Sequence, residues 1–166
     1  EPPLVTITSP ANGASFEIDD LVLADFACTD SGSSGIASCI GTGADGNPID
    51  TSTLGSHTFT VTGIDNGGGT TTVTHTYTVV DTADPTVTIT TPPDPTATYE
   101  LGDPPPLADY TCDDAGSGIV SCTGDVPDGD PIDVSAVGTF TFSVTAVDGA
   151  GNTTIETHTY TVEDST

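Results

Sequence analysis

Four cysteines, three histidines and a large surplus of aspartate are the residues of this chain whose types could do chemistry. Cys28 and Cys39 enclose TDSGSSGIAS, Cys112 and Cys122 enclose DDAGSGIVS, and the flanks of the two loops match. Four cysteines allow three connectivities. The matched loops select Cys28 with Cys39 and Cys112 with Cys122, because each half of the chain then folds by itself. A metal thiolate site would need more ligands than two cysteines per half supply. Structural disulfides imply an oxidising compartment, which places the protein outside the cell or on its surface.

The acids are harder to assign. The chain carries 25 Asp and Glu, no Lys and no Arg, for a formal charge of −25. No side-chain ion pair with Lys or Arg can form, so each carboxylate must be satisfied by water, hydroxyls, backbone N–H groups or dissolved cations. Self-repulsion is large and is relieved by salt. Nucleic acid and insertion into an anionic membrane are excluded as partners, and the lack of Lys rules out Lys-to-Asn isopeptide cross-links. Most Asp stands beside Gly, Pro, Ser or Asn, where it suits turns. The same oxygen ligands suit Ca²⁺, and Asp125, Asp128, Asp130 and Asp133 form one candidate group. Its earlier counterpart, Thr42, Asp45, Asn47 and Asp50, has fewer carboxylates and should bind more weakly.

The histidines give no catalytic constellation. His75 and His158 occupy equivalent places, and His57 is replaced by Phe140 in the later copy, which argues for packing. There is no G-x-S-x-G elbow, Gly-rich phosphate loop, HExxH or EF-hand loop. The chain reads as a non-enzyme. Asn152-Thr153-Thr154 is the one sequon with a permitted middle residue, a candidate glycosylation site that also reads as a hairpin turn.

These residues are positioned by a repeat. GSHTFTVTGIDNGGGTTTVTHTYTV from Gly55 returns as GTFTFSVTAVDGAGNTTIETHTYTV from Gly138, an offset of 83 residues that also relates His75 to His158 and Tyr77 to Tyr160. Within it Phe140, Phe142, Val144 and Ala146 alternate with Thr141, Ser143 and Thr145, the period of two of a half-buried strand. Asp148-Gly149-Ala150-Gly151-Asn152 supplies turn residues before alternation resumes. Each copy is a long β-hairpin within a unit of about 80 to 100 residues. Domain one is expected over residues 1–82 and domain two over 83–166, joined by Val80-Asp81-Thr82-Ala83-Asp84-Pro85.

Each unit opens with a short alternating strand ended by Pro10 or Pro92, then Phe16 or Tyr99 to plug one end of the core. A strand ending at Cys28 or Cys112 follows, with Phe26 or Tyr110 inward, and then a turn from Asp45 or Asp128 into a short strand. Leu54 and Val137 are expected to fill the core before the hairpin. The count is about seven strands per unit and no helix. Apolar residues are only 34% of the chain, so a thin core is expected to need its disulfide.

With the hairpin, the D-x-G-S-x-G-I-x-S-C loop and the Asp-Pro linker in view, the chain resembles, over both units, the bacterial Ig-like repeats of secreted and cell-surface proteins. GTFTFSVTAVDGAGNTT also looks like the hyalin-repeat (HYR) module. The resemblance implies an all-β chain of two tandem Ig-like antiparallel β-sandwiches in a linear array, used as spacer, stalk, extracellular fibre module or adhesion module. Its implied partners are neighbouring Ig-like repeats of the same array, or a surface ligand, whether glycan, protein or mineral, met by the loops. In that topology the incoming linker lies beside the loops of the second domain, which would bring Asp81 and Asp84 near Asp113, Asp114 and the Asp148 turn as a second candidate Ca²⁺ group.

Overall fold

The computed structural model describes residues 1–94 and 97–165. Twelve strands form in two series of six: β1 (Leu4–Ser9), β2 (Ala14–Glu17), β3 (Asp25–Thr29), β4 (Ile36–Gly41), β5 (Gly55–Asp65) and β6 (Thr70–Val80), then β7 (Thr86–Thr91), β8 (Ala97–Glu100), β9 (Asp109–Asp113), β10 (Ile119–Gly124), β11 (Gly138–Asp148) and β12 (Thr153–Glu163). The chain divides into two units at Asp81 and Thr82. In each, a two-stranded sheet (β1-β3 or β7-β9) packs on a four-stranded one (β2-β6-β5-β4 or β8-β12-β11-β10).

The long hairpins β5-β6 and β11-β12 dominate because their alternation is uninterrupted for eleven residues a side. In the first unit Phe59, Val61, Tyr77 and Val79 point inward, and in the second Phe142, Val144, Tyr160 and Val162 do, all at most 5% exposed. They meet Val5, Ile7, Phe26 and Ile49, or Ile89, Tyr110, Ile132 and Val134, from the opposite side. The disulfides join the two sheets of each sandwich: Cys28 of β3 bonds Cys39 of β4, and Cys112 of β9 bonds Cys122 of β10. Close packing also fixes the equivalent glycines Gly41 and Gly124. A Cβ on Gly41 would fall 2.8 Å from the Phe26 ring, and one on Gly124 2.7 Å from the Tyr110 ring.

Three expectations need correction. Leu54 and Val137 are 37% and 59% exposed. They sit in the turn before Gly55 and Gly138, and the space they were expected to fill is taken upstream by Ile49 in one unit and by Ile132 and Val134 in the other. Among the described residues each unit has six strands, because the segment after Asp45 or Asp128 makes a single bridge, Leu23 with Pro48 or Leu107 with Pro131. Proline has no N–H with which to extend a ladder. The pairing is also not wholly antiparallel. After Pro10 the chain crosses to the other sheet and β2 runs parallel to β6, as β8 does to β12.

One pole of each sandwich receives the chain and the opposite pole releases it. A Cβ on Gly69, at the tip of the β5-β6 hairpin, would lie 3.2 Å from Pro2 Cα, so the chain comes in at the tip. It leaves from Val80, at the far end of the same hairpin where Gly55 pairs with Val79. The second unit repeats this. Ala83 O accepts a hydrogen bond from Asn152 Nδ2 at the hairpin tip, and Glu163 lies at the other end, accepting from Leu101 N.

Candidate functional site

Several of the acids common to both copies hold backbone N–H groups. Asp148 is 2% exposed, and its Oδ1 accepts from Ala150 N and Asn152 N while Oδ2 accepts from Asn152 Nδ2. Asp65, 3% exposed, accepts from Gly67 N and Gly69 N in the same way. A carboxylate is suited to this: its acceptor oxygens close a tight turn by taking N–H groups that point inward across it. Asp114 accepts from Gly116 N and Gly118 N, and Asp30 from Gly32 N, Gly35 N and Ser34 Oγ. The Gly32 N–H, then the Ser34 hydroxyl, hold the Asp30 carboxyl below its ordinary value.

Asp45 and Asp128 do something the sequence did not suggest. Asp45 Oδ1 accepts from Phe26 N at 2.9 Å and Asp128 Oδ1 from Tyr110 N at 3.0 Å. Each carboxylate takes an outward N–H of β3 or β9, strands that pair only with β1 or β7, and so blunts an open sheet edge. The signal was an Asp-Gly at the same offset in both copies.

The candidate calcium residues fall out as follows. Asp114 and Asp148 bring carboxylate oxygens within 4.8 Å of one another. Asp113 and Asp84 are exposed, and Asp81, the last residue of the first unit, is buried. Asp125, Asp128, Asp130 and Asp133 are not gathered among the described residues. Asp125 accepts from Ser143 N, Asp128 from Tyr110 N and Asp133 from Ser135 N, while Asp130 contributes its backbone to Ala108. The Ser135 hydroxyl and N–H keep the Asp133 carboxyl below its ordinary range, as Ser52 does for Asp50.

The histidines are engaged structurally. His75 Nδ1 bonds Pro10 O at 2.8 Å and His158 Nδ1 bonds Pro92 O at 2.7 Å, fastening the crossing from β1 to β2 and from β7 to its partner sheet. His57 stacks on Tyr77 with ring centroids 5.3 Å apart, and Phe140 stacks on Tyr160 at 5.5 Å. Asp50, Ser52 and His57 lie close in sequence but form no relay. Ser52 Oγ donates to Asp50 at 2.7 Å and His57 Nε2 bonds Thr53 O, so in this trio the hydroxyl is not aimed at the imidazole.

Asn152 uses its amide nitrogen twice, donating to Ala83 O at 3.0 Å and to Asp148 Oδ2 at 2.8 Å. This is the atom glycosylation would modify.

The two units differ in the loop after β2 or β8. In the first, Asp19 N donates to Thr51 O and Thr51 Oγ1 to Asp20 O at 2.7 Å, which fastens the loop after β2 to the segment before β5. Val134 stands at the position matching Thr51 and has no hydroxyl. There Leu101, Pro105, Pro131, Ile132 and Val134 line an open, largely apolar recess of about 560 Å³.

No protein-family model and no curated protein matches the chain. Among solved structures it is similar to the fibronectin(III)-like modules of Clostridium thermocellum CbhA, with 17% identity over 97% of this chain and 95% of that one and a TM-score of 0.40. It is also similar to the protocadherin GammaB4 extracellular domain (16% identity, 97% of this chain, 33% of that one, TM-score 0.39) and to protocadherin gammaB7 EC3-6 (18%, 98%, 51%, 0.36). The chain spans a third to a half of those two protocadherin chains.

Proposed function

We propose that the chain is a non-catalytic structural module of an extracellular or cell-surface protein, whose units space other elements along an array or fibre. The observation that carries this reading is the path of the chain, in at one pole of each sandwich and out at the other. An eleven-residue hairpin at about 3.3 Å per residue separates the poles by about 36 Å, so each added unit advances the chain by that distance. Two disulfides, one per unit, support an oxidising environment. Among the described residues no helix is long and apolar enough to cross a membrane.

The test is to duplicate the two-unit cassette and measure the maximum dimension by small-angle scattering beside the original chain. An increase of about 36 Å per added unit supports the spacer, and a dimension that stays fixed as units are added refutes it. Running both samples with Ca²⁺ and with chelator shows whether the spacing depends on calcium.

A second reading, a module that binds a glycan, protein or surface through its loops, is favoured by the recess at Leu101 and Val134, which has an apolar lining and the volume of a ligand site. Val134→Thr, which restores the hydroxyl of the first unit, would reduce ligand binding there while leaving the spacer dimension unchanged.

A further inference from the structure

The broad outer face of β5-β6 carries no charge in a chain of net charge −25. Its outward positions pair Thr58 with Thr76, Thr60 with Thr74 and Thr62 with Thr72, flanked by Ile64 and, on β4, by Ile40, which is 65% exposed. Hydroxyls satisfy one another across the strands, Thr60 Oγ1 to Thr74 Oγ1 at 2.8 Å and Thr62 Oγ1 to Thr72 Oγ1 at 3.0 Å. Covering them therefore costs less than covering lone hydroxyls, and their methyl groups are what the face offers a partner.

The second unit keeps one of these hydroxyl pairs, Ser143 Oγ with Thr157 Oγ1 at 2.9 Å, sets Ile155 opposite Thr145 where the first unit pairs Thr62 with Thr72, and has a different rim. Thr159 N and Oγ1 donate to Asp94 Oδ1, where Thr76 N and Oγ1 donate to the neutral Asn12 Oδ1. Ser143 N donates to Asp125, where Thr60 N donates to the Thr42 hydroxyl. The hydrogen bonds are conserved between the copies and the charge is not. Both long edges of the second unit's hairpin are guarded by a carboxylate; the matching places of the first unit are neutral.

We propose that the outer β5-β6 face of the first unit docks against the same face of a second copy, as a two-fold pair. Charge selects the partner. With no Lys or Arg on either copy, contact elsewhere sets carboxylate against carboxylate, and this face is where two copies meet with least repulsion. An isologous contact needs one surface that complements itself, which a neutral hydroxyl and methyl array does. Leaving out β2, whose outward Glu17 stands opposite Val80, the three strands β4, β5 and β6, about 4.8 Å apart, present roughly 450 Å². That is below the roughly 800 Å² per partner of a standard stable interface, so the pair is weak and forms as salt screens the remaining charge. The proposal needs nothing of the spacer reading and stands or falls separately from it.

The test is sedimentation velocity of the whole chain at low and at molar NaCl, beside the double variant Asn12→Asp/Thr42→Asp. Each substitution installs the residue the second unit uses at the same place, with its hydrogen bond kept, so the fold is retained; matching circular dichroism checks this. Wild type is expected to move from monomer toward dimer as salt rises, and the variant to remain monomeric or to dimerise at least tenfold more weakly. A wild type that stays monomeric at every salt and concentration overturns the proposal, as does a variant that dimerises equally well. A wild type that stays monomeric but cosediments with crystalline polysaccharide gives the face to a surface ligand and also overturns it.

Discussion

The Tyr77 hydroxyl donates to the backbone carbonyl of Asp50 at 2.7 Å, and Tyr160 does the same to Asp133 at 2.8 Å. Each phenol reaches from the last strand of its unit to the turn before the long hairpin. Burial, then the nearby Asp50 or Asp133 charge, pushes both phenols above the ordinary tyrosine value. A phenol that ionises less readily when folded has no effect on stability while both states are protonated. It lowers stability as pH rises past the unfolded value near 10 and through the higher folded one. Thermal melts should therefore fall from about pH 10 upward, with tyrosinate absorbance appearing together with unfolding. Tyr160→Phe should cost about 1 kcal/mol at neutral pH and flatten that alkaline slope; a slope that does not change would disconnect it from this phenol.

Removing a disulfide should destabilise its own unit. Cys112→Ala/Cys122→Ala opens a link of sequence separation 10, for which the chain-entropy account gives a loss of about 2 to 3 kcal/mol. The loss is large for a core with so few big side chains. Differential scanning calorimetry should show one transition moved down and the other kept. Non-reducing peptide mapping with an Asp- or Glu-directed protease should recover both intradomain links, since trypsin has no site in a chain without Lys or Arg.

Gly124→Ala should be among the more damaging small substitutions. The added methyl would meet the Tyr110 ring at 2.7 Å and Val126 O at 2.8 Å, and neither a ring locked in the core nor a backbone carbonyl can retreat cheaply. Overpacking of this kind costs about 1 to 3 kcal/mol. Gly129→Ala is a useful contrast. Nothing lies within 4 Å of its Cβ position, and its φ of 83° makes the cost one of backbone strain. Denaturant midpoints of the two variants, with a Gly124→Ala/Tyr110→Ala pair to relieve the clash, separate crowding from strain.

The fold was legible wherever alternation ran long. Phe140 through Ala146 announced β11, and the repeat offset carried that reading to β5. The disulfides followed from matched loops. Leu54 and Val137 misled because an apolar residue just before a strand was read as in phase with it, whereas Gly55 and Gly138, at φ of 112° and 155°, reset the chain's direction there. The acids were the least legible. A carboxylate that accepts two backbone N–H groups, such as Asp148, is written with the same letter as one on the surface, such as Asp84. Comparing the two copies recovers part of the difference: Asp30 and Asp114, Asp45 and Asp128, Asp65 and Asp148 hold backbone in both copies, and Asp94 and Asp125 hold backbone where the first copy does so with the neutral Asn12 and Thr42.

Asn152 should be unmodified, and its loss should weaken the second unit alone. Its amide has two N–H groups, and both are committed, one to Ala83 O and one to Asp148 Oδ2. A glycan on Nδ2 would remove one of those donors at a half-buried site. Native protein should therefore have the mass of the bare chain less the disulfide hydrogens, and any hexose-spaced mass on the peptide containing Asn152 would contradict this. Asn152→Ala takes one donor from Asp148 and one from the incoming Ala83 carbonyl, at a cost of about 1 to 3 kcal/mol. The first unit has Gly69 at the matching place and fastens its turn otherwise, with Asn66 Nδ2 donating to Ser34 O and Gly35 O. Calorimetry of Asn152→Ala should lower one transition and leave the other in place, and Asn66→Ala should do the converse; if either variant lowers both transitions together, the two turns do not act on their own units alone.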